Sequence, residues 1–245
     1  MNTPKLTARA AGILYVVVFL AAMFGPIYVQ STLVVPGDAT ATAAAITASK
    51  PLFRAGIGSY FVILMSEIPL TILLYVLLRP VNKTLSLIAA AFRVAMTIIH
   101  GLNLLNQFSA LMLLSGADYL SVFDLSQLRA LMLFFLNAHD IGWSIGMVFL
   151  SGHVVLLGYL VAKSGYLPRI LGILLVLAGV SYLVDGIGLL LVPGYDVTPV
   201  VFAIFITGAE LVFPLWLLTK GVKEDGWRAR TGESHSQLQA EGAAA

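Results

Sequence analysis

Eight ionisable residues fall inside runs of apolar sequence: Glu67, Arg93, His100, His139, Asp140, His153, Asp185 and Glu210. A charge at the centre of an apolar layer costs about 3 kcal/mol or more, so each must face a protein interior and be paired or neutral. Arg93 cannot give up its proton, and a carboxylate has to stand beside it. Glu67 and Glu210 are the acids expected at its depth. Helical phase gathers further groups. Arg93, His100, Asn103 and Gln107 follow at seven, three and four residues and share one helix face. Tyr60, Glu67 and Thr71 make a second stripe, and Ser181, Tyr182 and Asp185 a third. His139 and His153 share a face from which Asp140 points away.

Such a column suits the binding or passage of a small polar or amphipathic ligand. Glu67, Arg93, His100, Asn103, His139, His153, Asp185 and Glu210 are the candidate contacts, reached from the outer side of a membrane. Histidine and carboxylate are also zinc ligands, and an ion with an open coordination position would activate water for hydrolysis of a lipid-like substrate. The spacings His-x-x-x-His and His-Glu-x-x-His are absent. Ser66, Ser144, Ser151 and Ser181 lack the glycine pattern of a nucleophile elbow, so no catalytic residue is assigned. Two plainer readings use the same residues: a hydrogen-bond network that only holds helices together, and a partner subunit with no ligand of its own. No cofactor is specified.

These groups need helices that cross a bilayer. The chain has 245 residues, of which 59% are hydrophobic and 11% charged, and its mean hydropathy is +0.95. Too little polar surface exists to cover a soluble domain, so lipid is the first expected partner. The expected class is all-α, with spans over residues 10–29, 56–78, 84–114, 128–162, 169–192 and 199–219. The first should end near Gly25 and Pro26 or one turn later, and the fourth is longer than a bilayer needs. Between the first two, Asp38 precedes an alanine-rich stretch that reads either as a capped interfacial helix stopped by Pro51 or as a plain loop. Residues 1–222 are expected to form one six-helix domain and 223–245 a disordered cytoplasmic tail, whose basic residues could touch anionic lipid.

Ten lysines and arginines, from Lys5 and Arg9 to Arg228 and Arg230, fall on the side of the two termini; Lys50, Arg54 and Arg129 fall on the other. That bias predicts cytoplasmic termini. With no cysteine, disulfides and thiolate chemistry are excluded. There is no phosphate loop, dinucleotide fingerprint or nucleic-acid patch. The glycines, among them Gly142, Gly146, Gly172 and Gly179, read as points of close helix approach.

A weak repeat runs through the chain. Arg9-x-x-Gly12-Ile13-Leu14 matches Arg169-x-x-Gly172-Ile173-Leu174, and His100-Gly101-x-x-Leu104-Leu105 matches Asp185-Gly186-x-x-Leu189-Leu190. Glu67, His153 and Glu210 lie at similar distances before the basic ends of the even-numbered spans. Three tandem hairpins would produce this pattern, as would the aromatic and basic residues that end all membrane hairpins.

The motifs Leu52-Phe53-Arg54, Leu74-Tyr75-x-Leu77-Leu78-Arg79-Pro80-Val81-Asn82 and Phe92-Arg93 resemble those of the DUF4386 family. The most specific part is Gly158-Tyr159-Leu160, then Ser164-Gly165-Tyr166-Leu167-Pro168-Arg169-Ile170-Leu171-Gly172 and Tyr182-Leu183-Val184-Asp185. The resemblance implies a helical membrane fold and a home in the bacterial inner membrane. It brings no functional residues with it.

Overall fold

The computed structural model describes residues 3–195 and 197–232. Among the described residues, six helices are long and apolar enough to cross a membrane: Pro4–Leu33, Lys50–Leu78, Lys83–Leu113, Leu125–Ser164, Arg169–Leu191 and Val200–Thr219. The protein is an all-α, multi-pass membrane protein. Large apolar side chains such as Met65, Ile98, Leu102 and Leu105 face outward and are more than half exposed, a surface that lipid satisfies.

Local chemistry sets the helix ends. Thr3 caps the first span and Asn82 the third, each accepting a backbone N–H three residues on. Asp124 and Gln127 form a reciprocal capping box at the start of the fourth. Gly165, at φ +78°, ends that helix in a left-handed turn. The first span does not stop at Gly25 and Pro26. It passes through them by widening into a π-helical segment, Met23–Val29, and runs on to Leu33.

Of the two readings of the alanine-rich stretch, the helix is the one observed: Ala39–Ala48, with Asp38 accepting from the Ala41 N–H at 2.8 Å. It ends at Ser49 and not at Pro51, which instead opens the second span, where a missing N–H costs nothing. The fourth helix has 40 residues and is therefore about 60 Å long, twice a hydrocarbon core of about 30 Å. Its first turns pack against Ala39–Ala48, so the excess length is covered by protein. The tail expected to be disordered opens with a helix, Glu224–Thr231, that buries Trp227; residues 233–245 lie outside the described ones.

The six spans form a ring in chain order, each packed on its sequence neighbours, with the sixth closing on the first. The fourth and fifth cross closely enough that a Cβ at Gly172 would stand 2.4 Å from the Ala162 nitrogen. Apolar side chains fill the two ends separately. Leu74, Leu77, Leu160, Leu171 and Leu217 belong to the cluster at the basic end, and Val29, Ile46, Phe53, Met132 and Leu136 to the cluster at the opposite end. The polar residues of the spans lie between.

The basic end is tied by hydrogen bonds as well. The Leu77 carbonyl, near the end of the second span, accepts from the Tyr166 hydroxyl at 2.7 Å and the Trp227 indole N–H at 3.0 Å. These donors satisfy a carbonyl that the helix terminus leaves without a helical partner. Burial pushes the Tyr166 phenol above its ordinary value, which keeps it a donor.

Candidate functional site

Arg93 is the centre of the polar layer, 3% exposed. Its Nε and Nη2 donate to the two carboxylate oxygens of Glu67, the fork-to-fork geometry that arginine forms best. Its Nη1 donates to the Tyr15 hydroxyl at 3.1 Å and to His153 Nε2 at 3.0 Å. The guanidinium also lies over the Tyr15 ring, 5.0 Å from its centroid. His153 is 1% exposed, and its Nδ1 lies 2.9 Å from the Ala89 carbonyl oxygen. A carbonyl only accepts and a guanidinium only donates, so His153 carries its proton on Nδ1 and is neutral.

Glu210 does not pair with Arg93. The sixth span is no neighbour of the third in the ring, and the Glu210 carboxylate accepts instead from the Tyr182 hydroxyl on the fifth. Unlike Glu67 and Arg93, Glu210 is exposed, and what it faces is a cavity. Four residues on, Pro214 lacks the N–H that the Glu210 carbonyl would otherwise take.

The cavity has a volume of about 130 Å³ and all six spans line it. Tyr15, Phe19, Trp143, Tyr182 and Phe213 supply aromatic walls; Glu67, Arg93, His100 and Glu210 supply the charged and titratable ones. His100 stacks flat on Trp143, with centroids 4.1 Å apart, and its Nε2 approaches the Trp143 carbonyl at 3.2 Å. Gly146 makes room for that ring: a Cβ there would stand 2.0 Å from His100 Nε2.

Towards the opposite end lies a second, uncharged network. His139 Nδ1 is 3.3 Å from the Asn103 carbonyl, while its Nε2 faces the Gln107 amide at 2.9 Å and the Tyr60 hydroxyl at 3.2 Å. The Asn103 amide donates to the His139 carbonyl at 2.8 Å. These side chains tie the second, third and fourth spans together.

Asp185 belongs to neither group. It accepts from the Tyr195 and Thr198 hydroxyls, each at 2.8 Å, and so holds the connection between the fifth and sixth spans. His100 lines the cavity and Asp185 does not. Among the described residues no three His, Asp or Glu side chains gather as a metal site would require. Helical phase does not point to Tyr15. It is the only polar side chain between Ala10 and Ile27, and that isolation was the available signal.

The family model described as domain of unknown function DUF4386 matches residues 10–221. The chain belongs to the DUF4386 family. A relative from Archaeoglobus fulgidus, described as an uncharacterized protein, is 30% identical over 174 residues, which is 71% of this chain and 88% of that protein. That relative is archaeal, so the likeness does not single out a bacterial membrane. No solved structure matches the chain.

Proposed function

We propose that this protein binds a small polar or amphipathic ligand in the six-helix cavity and passes it across the cytoplasmic membrane, with the basic end in the cytoplasm. One observation carries the reading: a single cavity receives side chains from every span and has an ionisable cluster on its wall. Non-helical or proline-interrupted backbone beside it is the arrangement that membrane proteins tolerate around cavities. Here the Met23–Val29 π segment, Pro69 and Pro214 interrupt the first, second and sixth spans.

Access from the side opposite the basic end is supported by the sixth span. Its buried residues are Ala209, Phe213, Pro214 and Leu217, and none from Val200 to Gly208 is buried. The basic end is filled by the larger apolar cluster and covered by Trp227. The transport unit is residues 1–222, capped at the basic end by the short helix Glu224–Thr231.

Native mass spectrometry of the purified protein tests the reading. Ala22 lines the cavity and is half-buried. The wild-type protein should retain a small molecule that Ala22→Trp, which fills the cavity, releases. Identical spectra with no bound mass in either would refute a ligand site.

A further inference from the structure

The cavity wall carries one acid more than it can balance. Glu67 has both oxygens bonded by Arg93, and the pair is internally neutral. Arg93 uses its remaining contacts on Tyr15 and His153, neither of which carries charge. Glu210 is left with one oxygen taken by Tyr182, and its other oxygen has no hydrogen-bond partner among the described residues. A lone carboxylate at this depth is stable with a proton or with a cation beside it.

The rest of the wall decides which cation fits. A bare metal cation needs several free oxygen ligands at once; here the Tyr182 hydroxyl is given to Glu210, both Glu67 oxygens are held by Arg93, and the rest of the lining includes the rings of Tyr15, Phe19 and Phe213. Aromatic faces attract organic cations and shelter their apolar bodies.

We propose that the ligand is a monovalent organic ammonium ion with an aromatic or branched apolar body, its nitrogen held by Glu210 and its body by the aromatic walls. This rests on the reading of the cavity as a ligand site. Ammonium and proton compete for the same carboxylate. Binding breaks the Glu210 carboxyl O–H bond and forms the ion pair, the proton leaves to solvent, and no electrons change hands. The groups facing Glu210 are Tyr182 from the fifth span and Tyr15 from the first, with Glu67 and Arg93 across the cavity. The two phenols are uncharged and the Arg93–Glu67 pair balances itself; His100 is the other titratable group on the wall, and Glu210→Gln separates it from Glu210 as the source of the released proton.

Calorimetry on the full chain in lipid nanodiscs, in two buffers of different protonation heat, tests this with phenethylammonium, phenethyl alcohol and hydrocinnamate. Phenethylammonium should bind about tenfold or more tightly than the alcohol and release a proton, and hydrocinnamate should not compete. Glu210→Gln should lower ammonium affinity about tenfold or more and end proton release while still binding the alcohol, which also reports that the variant is folded. Glu210→Asp should keep the preference for ammonium, and Asp185→Asn should leave all three measurements unchanged. Equal binding of ammonium and alcohol, or an unchanged Glu210→Gln, overturns the ammonium class and leaves the cavity reading standing. Failure of all three probes to bind also overturns it; the cavity reading falls with it only if native mass spectrometry finds no retained molecule.

Discussion

His153 accepts a hydrogen bond from Arg93 through Nε2 while its own proton is directed at the Ala89 carbonyl, so the histidine is a neutral acceptor for the arginine. Among the described residues the positive charge at the middle of the bundle is therefore answered by Glu67 alone, and the stability of that layer depends on this ion pair.

Removing one member of the pair should be far worse than removing both. Glu67→Ala strands the arginine and should cost about 3–5 kcal/mol, whereas Glu67→Met with Arg93→Met should recover most of it. Arg93→Lys should not substitute, because an ammonium cannot bond both carboxylate oxygens and Tyr15 in the same plane. Thermal unfolding in detergent reads all three variants. Equal losses for the single and double changes would show that the pair is not the link.

Depth along the helices brings both Glu67 and Glu210 to the level of Arg93, and depth alone could not choose between them. The choice is made by ring order, a property of packing: the second span lies beside the third and the sixth does not. Asp185 misled for a related reason. Phase puts it on a stripe with Tyr182, but its partners Tyr195 and Thr198 lie in a connection that folds back, and no periodicity reports that. Spans, caps and the need for a counter-ion were readable because each follows from local composition or from charge. The role of Trp227 was not, since averaging over a polar tail hides one aromatic anchor.

The loop contact offers a pH test. Partial burial, with the hydrogen bond to Asp185 and that carboxylate's charge, pushes the Tyr195 phenol from 10.0 up to about 12. A group whose folded value is raised stabilises the fold fully below its unfolded value, and that contribution fades as pH rises from about 10 to about 12. The ultraviolet tyrosinate difference between the wild-type protein and Tyr195→Phe should therefore titrate late, and should move back towards the ordinary tyrosine range in Asp185→Asn. An unshifted titration in Asp185→Asn would show that the carboxylate does not act on the phenol.

The C-terminal helix should contribute measurably to stability. Trp227→Ala removes a buried aromatic and a hydrogen bond and should cost about 3–5 kcal/mol. Trp227→Phe keeps one aromatic ring but loses the other and the N–H, and should cost about 1–3 kcal/mol. Unchanged melting for both would mean that residues 224–231 do not pack on the bundle in the membrane.

The shared acceptor at Leu77 also imposes an order on biosynthesis. Its carbonyl is made early, its first donor, Tyr166, only after two further spans, and its second donor 150 residues after the carbonyl itself. A ribosome that has delivered five spans has therefore not yet delivered the means to close this end, and a chain cut short before Trp227 would leave the membrane with that seam open.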